Sequence, residues 1–152
     1  MSAKVRGAAL TLLARRDYTV AELRARLIDR EHLSADVDAV IAALVEDRTI
    51  DDRRVAASHL RVSSQIKGRG RVRIRQELAA RGIDRHLTDE LIAELPQEDE
   101  AAAIAKFLSR KRFPGRPTAA DRQKVFRQLL RRGFTSEAIS KALRRTSTMS
   151  ES

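Results

Sequence analysis

The sequence contains an internal repeat with a spacing of 51 residues and no gaps. Each copy carries two apolar residues one helical turn apart and a basic residue three positions later. The matching residues are Leu23, Ile74 and Val125, then Leu27, Leu78 and Leu129, then Arg30, Arg81 and Arg132. Self-similarity at a fixed period is typical of tandem units that stack on their neighbours. We therefore predict three units, at residues 1–50, 51–95 and 96–145, followed by a polar tail at residues 146–152.

Helix-start signals divide the units into short helices. Thr19 and Glu22 have the spacing of a capping box, in which a hydroxyl and a carboxylate each accept a hydrogen bond from a free amide at the helix start. Ser34 is the predicted cap of the next helix, and Thr118 is the predicted cap of a helix in the third unit. Three short helices in each unit follow from these signals.

The later units end their helices at glycine. Gly82 and Gly133 each follow a predicted helix, at the position where a left-handed residue commonly ends one. In the second repeat, Val55, Val62 and Ile66 are predicted to lie on one side of the first helix, because their spacing is helical. The pattern predicts that this helix ends at residues 67–68.

The composition favours helices over strands. The chain has only six Gly, three Pro and 3% aromatic residues, and its β-branched residues are thinly spread, which argues against a sandwich or a barrel. We predict an all-α protein of three tandem three-helix repeats, each like a helix-turn-helix, forming an elongated curved array. Cysteine is absent, and no apolar run approaches the roughly 20 residues that span a bilayer. With no signal peptide evident, the expected location is the cytoplasm.

Positive charge increases along the chain. The 31 Lys and Arg residues exceed the 21 Asp and Glu residues, for a net charge of +10. Residues 1–50 are balanced, residues 51–95 carry a net +3 and residues 96–152 carry a net +7. Such an asymmetric field predicts an anionic partner for the later two thirds of the chain. The alternative is a solvated basic surface that has no partner.

Three basic clusters supply the candidate binding residues. The densest cluster is framed by Gly68 and Gly70, and such a turn presents backbone amides while arginines meet phosphate or carboxylate groups. Because helical side chains point in several directions, not every member is expected to touch one partner. The candidates are Lys67, Arg69, Arg71, Arg73 and Arg75, then Lys106 and Arg110, then Arg122, Lys124, Arg127, Arg131 and Arg132.

Several short motifs, in order and at the right spacing, resemble the RecX family. They are the stretches 50–56, 74–78, 81–83 and 130–134, with a glycine nineteen residues after the first aspartate. The matching residues are Asp51, Asp52, Arg54, Gly70, Ile74, Glu77, Leu78, Gly82 and Gly133. The layout spans residues 4–145. The chain departs from the family at Arg48 and at Glu31, since each stands where a glycine is expected.

The resemblance implies a regulator of the recombinase RecA. A RecX-like protein is expected to bind RecA, above all RecA polymerised on single-stranded DNA. It would suppress the ATPase activity and strand exchange in recombination and DNA repair. The expected protein is a monomer with weak nucleic-acid binding, no cofactor, no small-molecule substrate and no membrane contact.

The rival hypothesis is a DNA-binding protein whose helix pairs read the major groove in the manner of a helix-turn-helix. An enzyme is not expected, because no nucleophile–base pair or phosphate-binding loop is evident. Asp51 and Asp52, with Arg54, are interpreted as a helix cap with an ion pair rather than as a metal or catalytic site. His32 is interpreted as a half-buried packing residue, and no metal site is expected.

Overall fold

The computed structural model describes residues 2–150, including all side chains in that range except those of residues 97, 98 and 147–150. Within this range the chain is helical and has no strands, which confirms the predicted fold class. The helices are α1 (Ala3–Leu13), α2 (Val20–Asp29), α3 (Ser34–Glu46), α4 (Asp52–Arg61), α5 (Arg71–Ala80), α6 (Arg85–Ala93), α7 (Gln97–Ser109), α8 (Ala119–Arg131) and α9 (Ser136–Ser150). None of these described helices is long and apolar enough to cross a membrane.

The chain forms two compact units, called the first unit and the second unit, which are distinct from the three sequence repeats. The first comprises residues Met1–His59 and Leu78–Thr88, and the second comprises Leu60–Glu77 and Asp89–Ser152. A core of apolar side chains from α1, α2 and α3 fills the first unit, with Leu23, Leu27 and Leu44 fully buried. In the second unit, α7, α8 and α9 enclose a core that contains Ile104 and Phe134. The boundaries of the three sequence repeats stay a prediction.

Two of the three caps predicted at Ser and Thr are confirmed. Thr19 and Glu22 form the expected capping box at the start of α2. Thr118 forms a second box with Asp121 at the start of α8. The prediction for Ser34 is wrong, because this residue lies within α3 and the position before it has no side-chain cap.

The helix that was predicted to end at residues 67–68 contains a π-helical turn. After Arg61 the backbone changes to a π-helix at Val62–Ile66, so that the amide of Lys67 donates to the carbonyl of Val62 across five residues. The wider turn rotates the following side chains away from the helical register. Ser63 is therefore buried, whereas Ile66 is 77% exposed. Because Val55 is buried, the prediction that Val55 and Ile66 share one side of the helix is wrong.

Helix α9 continues to Ser150. The sequence had placed the end of the last helix near residue 145 and had assigned residues 146–152 to a polar tail. The first five residues of that segment are helical, and the last two lie outside the described residues.

Among the described residues, two that are not glycine adopt the left-handed backbone conformation at helix ends. Glu31 has φ of 66° and Arg48 has φ of 63°. Glu31 occupies the repeat slot of Gly82 and Gly133, which have φ of 77° and 95°. Because a side chain crowds the backbone in this region, both residues are held in a strained conformation by the helices before them.

Replacing Glu31 by glycine should stabilise the protein. The φ of 66° suits glycine, so we expect Glu31→Gly to raise the free energy of unfolding by about 0.5–1 kcal/mol. Urea denaturation measures this difference. Glu31→Ala is the control, because it removes the same side chain without relieving the backbone. Equal stability of the two variants would contradict the assignment of strain to Glu31.

Candidate functional site

A contact between a helix start and a glycine turn organises the first unit. The hydroxyl of Thr19, at the start of α2, donates to the carbonyl of Arg81 at 2.6 Å. Gly82 follows Arg81 in the left-handed conformation, and a Cβ added to it would overlap the Cβ of Ala21. Only glycine therefore satisfies both the turn and the close approach of α2.

An ion pair closes the same contact. Two guanidinium nitrogens of Arg81 donate to the carboxylate of Glu22, the shorter bond being 3.0 Å. The same carboxylate accepts a hydrogen bond of 2.9 Å from the Thr19 amide. Burial raises the pKa of Glu22, but the hydrogen bonds from Arg81 and Thr19, with the positive charges of Arg81 and Arg16, outweigh it. The pKa of Glu22 therefore lies below its usual 4.5.

This ion pair should make stability depend on pH in the acid range. A carboxylate with a lowered folded-state pKa stabilises the fold above its unfolded pKa, and this stabilisation is lost as the pH falls through the folded value. At neutral pH, we expect the free energy of unfolding of the wild type to exceed that of Glu22→Gln by about 1 kcal/mol. The difference should shrink below the ordinary pKa of 4.5, as measured by urea denaturation across pH. The exposed Glu46→Gln is the control, and a gap for Glu22→Gln that does not change with pH would refute the pair's role.

A second contact of the same kind organises the second unit. The amide of Gly70, before α5, donates to the carbonyl of Arg132 at 2.8 Å, and the amide of Val72 donates to the carbonyl of Gly133 at 2.9 Å. A Cβ added to Gly70 would overlap the backbone of Gly133, and a Cβ added to Gly133 would overlap Arg73. Glycine at both positions lets the two backbones touch.

The two contacts use the same slots of the sequence repeat. Gly70 lies 51 residues after Thr19, and Gly133 lies 51 residues after Gly82. A helix start in one repeat therefore meets the glycine turn of the next repeat in both cases. We call each of these contacts a glycine joint.

Substitutions at the second glycine joint should be strongly destabilising. Gly70→Ala and Gly133→Ala each create a backbone overlap, and we expect losses of at least about 2 kcal/mol in the free energy of unfolding. Gly7→Ala is the matched control, because no atom lies within 4 Å of the added Cβ. Gly7 lies inside α1, so alanine there should instead add about 1 kcal/mol. Tolerance of alanine at Gly70 would contradict the joint.

The acidic motif at the start of α4 is structural. One carboxylate oxygen of Asp51 accepts hydrogen bonds from the amides of Arg53 and Arg54 at 3.0 and 3.3 Å. The carboxylate of Asp52 accepts one of 2.8 Å from the Val20 amide. The Arg54 guanidinium donates to the carbonyls of Arg48 and of the next residue. It therefore bonds to backbone carbonyls, whereas the sequence predicted an ion pair for it.

Three arginines of the densest basic run are held by internal partners. Arg69 forms an ion pair of 2.6 Å with Glu77, which is the glutamate of the family motif. Arg71 pairs with Glu100 at 3.0 Å and also donates to the carbonyl of residue 95 at 2.9 Å. Arg75 pairs with the carboxylate of residue 89 at 3.2 Å. The ion pairs of Arg69 and Arg71 are half-buried within the second unit, whereas that of Arg75 is exposed.

A cleft of about 690 Å³ opens in the second unit between the π-helical turn, the start of α5 and helix α7. It brings together members of all three basic clusters that are far apart in the sequence. Six of the predicted binding residues line it: Lys67, Arg69, Arg71, Lys106, Arg110 and Arg132. This gathering makes the cleft the candidate functional site.

An aromatic ring lies among these cations. The Arg132 guanidinium lies over the ring of Phe107 at 4.6 Å from its centroid, and the Lys111 ammonium lies at 5.0 Å. Sequence reasoning did not identify Phe107. Phe107 lies in the last turn of α7 and Lys111 lies two residues after the end of that helix, and this separation of four residues signals a local contact. The approach of Arg132 depends on the fold and has no local signal.

The remaining predicted residues lie outside the cleft. Arg73 packs against Gly133. On α8, Lys124, Arg127 and Arg131 are exposed and share one face because they are three and four residues apart. Arg122 is also exposed, near the start of that helix. The described residues therefore present a cationic cleft and, separately, a cationic stripe on α8.

Potential metal ligands do not cluster within residues 2–150, as far as their side chains are described. His32 is half-buried, as its place in the repeat predicted. No group of three or more His, Asp or Glu side chains that could hold a metal ion occurs in the part of the chain that the structure describes.

Family models match three consecutive segments of the chain. Residues 6–44 match the first three-helix domain of RecX, residues 51–92 match the second and residues 98–143 match the third. The chain belongs to the RecX family. The glycine joints therefore lie between successive RecX domains. The three glycines of the family motif form these joints, and its Ile74 and Leu78 are buried.

Curated RecX proteins are similar over most of this chain. The regulatory protein RecX of Halorhodospira halophila is 40% identical over 144 residues, which cover 93% of this chain and 87% of that protein. The regulatory protein RecX of Vibrio parahaemolyticus is 35% identical over 90% of this chain and 87% of its own length. A regulatory role follows from this membership.

A solved structure shares the fold. The crystal structure of RecX from Lactobacillus salivarius superimposes with a TM-score of 0.81, covering 95% of this chain and 96% of the other, at 19% identity. At this identity the likeness concerns the fold alone. Three tandem three-helix domains are thus common to both proteins.

Proposed function

We propose that this RecX protein inhibits the RecA recombinase by binding RecA filaments on single-stranded DNA, and thereby suppresses their ATPase activity and strand exchange. The observation that carries the proposal is the match of all three tandem domains to one family of regulatory proteins. The protein would act by binding alone, as a monomer. RecA would meet the cationic cleft of the second unit, which gathers charges from three sequence segments.

Direct contact with nucleic acid would have a supporting role. The exposed stripe of Lys124, Arg127 and Arg131 on α8 suits phosphate groups, because each is a solvated cation on a shared face. Phosphate contacts alone give weak binding that is sensitive to salt and blind to sequence. The proposed order of affinity is therefore filament above free DNA.

The rival hypothesis of a major-groove reader has less support. In a helix-turn-helix, side chains of the second helix must be free to reach base edges. Arg71 and Arg75 on α5 are instead engaged with carboxylates of the same unit. A reader of base sequence would have to break these pairs before it could bind.

The single-stranded-DNA-dependent ATPase of RecA, titrated with the purified protein, tests the proposal. We expect strong inhibition at substoichiometric protein, because one bound molecule would affect several neighbouring RecA subunits in a filament. Binding of the protein to free single-stranded DNA, measured at the same salt concentration, should be weak. Full ATPase activity together with tight binding to one duplex sequence would overturn the proposal in favour of the groove reader.

A further inference from the structure

We infer that the cleft of the second unit binds a short acidic peptide segment that carries one large apolar side chain. This inference deepens the proposed function, because it specifies the kind of protein segment that the cleft would take from a partner. The chemistry of the inferred peptide is argued only from the residues that line the cleft.

The cleft retains a large positive charge after its internal ion pairs are counted. Asp99 and Glu100 are its acidic lining residues, and Glu100 is neutralised by Arg71. Arg69 is likewise neutralised by Glu77. Within the described residues, the lining cations without a carboxylate partner are Lys67, Lys106, Arg110, Lys111 and Arg132. Five cations against one carboxylate favour a ligand with several negative charges.

Apolar surface lies directly beside these charges. Leu95 and Ala103, which are both half-buried, contribute to the lining of the cleft. Ile66 also belongs to the lining and is 77% exposed, since the π-helical turn directs it outward. The cleft volume of about 690 Å³ lies within the range of ligand-binding pockets in proteins. An apolar side chain of the ligand would cover this surface and remove it from water.

A hydrogen-bond donor lies unused in the wall. The hydroxyl oxygen of Ser64 is buried and has no hydrogen-bond partner within the described residues. It belongs to the π-helical turn and lines the cleft. A buried polar group without a partner is costly. Rotation of the Ser64 side chain toward the cleft would let this hydroxyl donate to a carboxylate or a backbone carbonyl of a bound peptide.

Single-stranded nucleic acid fits the cleft less well. Proteins that bind it without sequence preference stack successive bases on open aromatic faces. The ring of Phe107 is already covered by Arg132 and Lys111. The other aromatic side chains of the described residues are buried or half-buried. The cleft thus offers charge and apolar contact without a free stacking surface, which favours peptide over bases.

Fluorescence anisotropy with the full-length protein tests the inference. The probe is a fluorescein-labelled acidic heptapeptide with a central phenylalanine. A second peptide has alanine at the centre, and a labelled oligothymidylate represents nucleic acid. We expect the phenylalanine peptide to bind at least about tenfold more tightly than the alanine peptide, because it alone buries a large side chain.

Matched variants locate the binding. Lys106→Gln/Arg110→Gln removes two cleft charges, and Lys124→Gln/Arg127→Gln removes the same residue types from exposed positions on α8. The cleft variant should weaken peptide binding at least about tenfold, whereas the α8 variant should change it less than about twofold. Thermal unfolding would verify that both variants fold. Absence of peptide binding, or equal losses in both variants, would overturn the inference.

Two further results separate the inference from the proposed function. If oligothymidylate binds and the cleft variant abolishes that binding while the peptide does not bind, the cleft is a nucleic-acid site and the inference fails. If the cleft variant no longer binds the peptide but inhibits the RecA ATPase as strongly as the wild type, the inference about the cleft chemistry holds. In that case the proposed inhibition of RecA is retained and acts through another surface.

Discussion

The fold depends on the glycine joint, in which the start of one helix lies against the turn that ends another. At this contact the backbones approach so closely that a Cβ at Gly82 or Gly133 would collide with the opposing helix start. The same residues also need positive φ, so that one residue type meets two independent requirements. The repeat spacing of the sequence reproduces the joint, which explains why glycine and arginine recur together at positions 81–82 and 132–133.

The second glycine joint also builds the cleft. Hydrogen bonds from the amides of Gly70 and Val72 fix the turn that carries Arg132, and Arg132 in turn lies over Phe107. Charges from the segment after the π-helical turn, from α7 and from the end of α8 therefore meet in one place. The stability of the second unit and the shape of its basic surface rest on the same contact. This coupling makes the cleft a property of the fold rather than of a flexible surface.

Local signals in the sequence predicted the elements, and the fold determined the site. The capping box of Thr19 and the helix end at Gly82 follow from short-range rules, so they could be predicted. The π-helical turn could not be predicted, because no local signal marks it. Its effect is that Ser63 is buried and Ile66 is exposed. The sequence identified the basic clusters by their charge, but it did not show that Arg71 forms an ion pair with Glu100. Pairing between residues distant in the sequence requires the packed structure.

The most direct test of the account is hydrogen–deuterium exchange of the full chain, alone and with RecA filaments on single-stranded DNA. If RecA engages the cationic cleft, amides in residues 62–71 and 102–111, which contribute most of its wall, should exchange more slowly in the complex. Amides of α1–α3 should exchange at the same rate in both samples. Unchanged exchange throughout, or slowing confined to residues 3–46, would contradict the central claim that this basic cleft is the surface through which the protein regulates its partner.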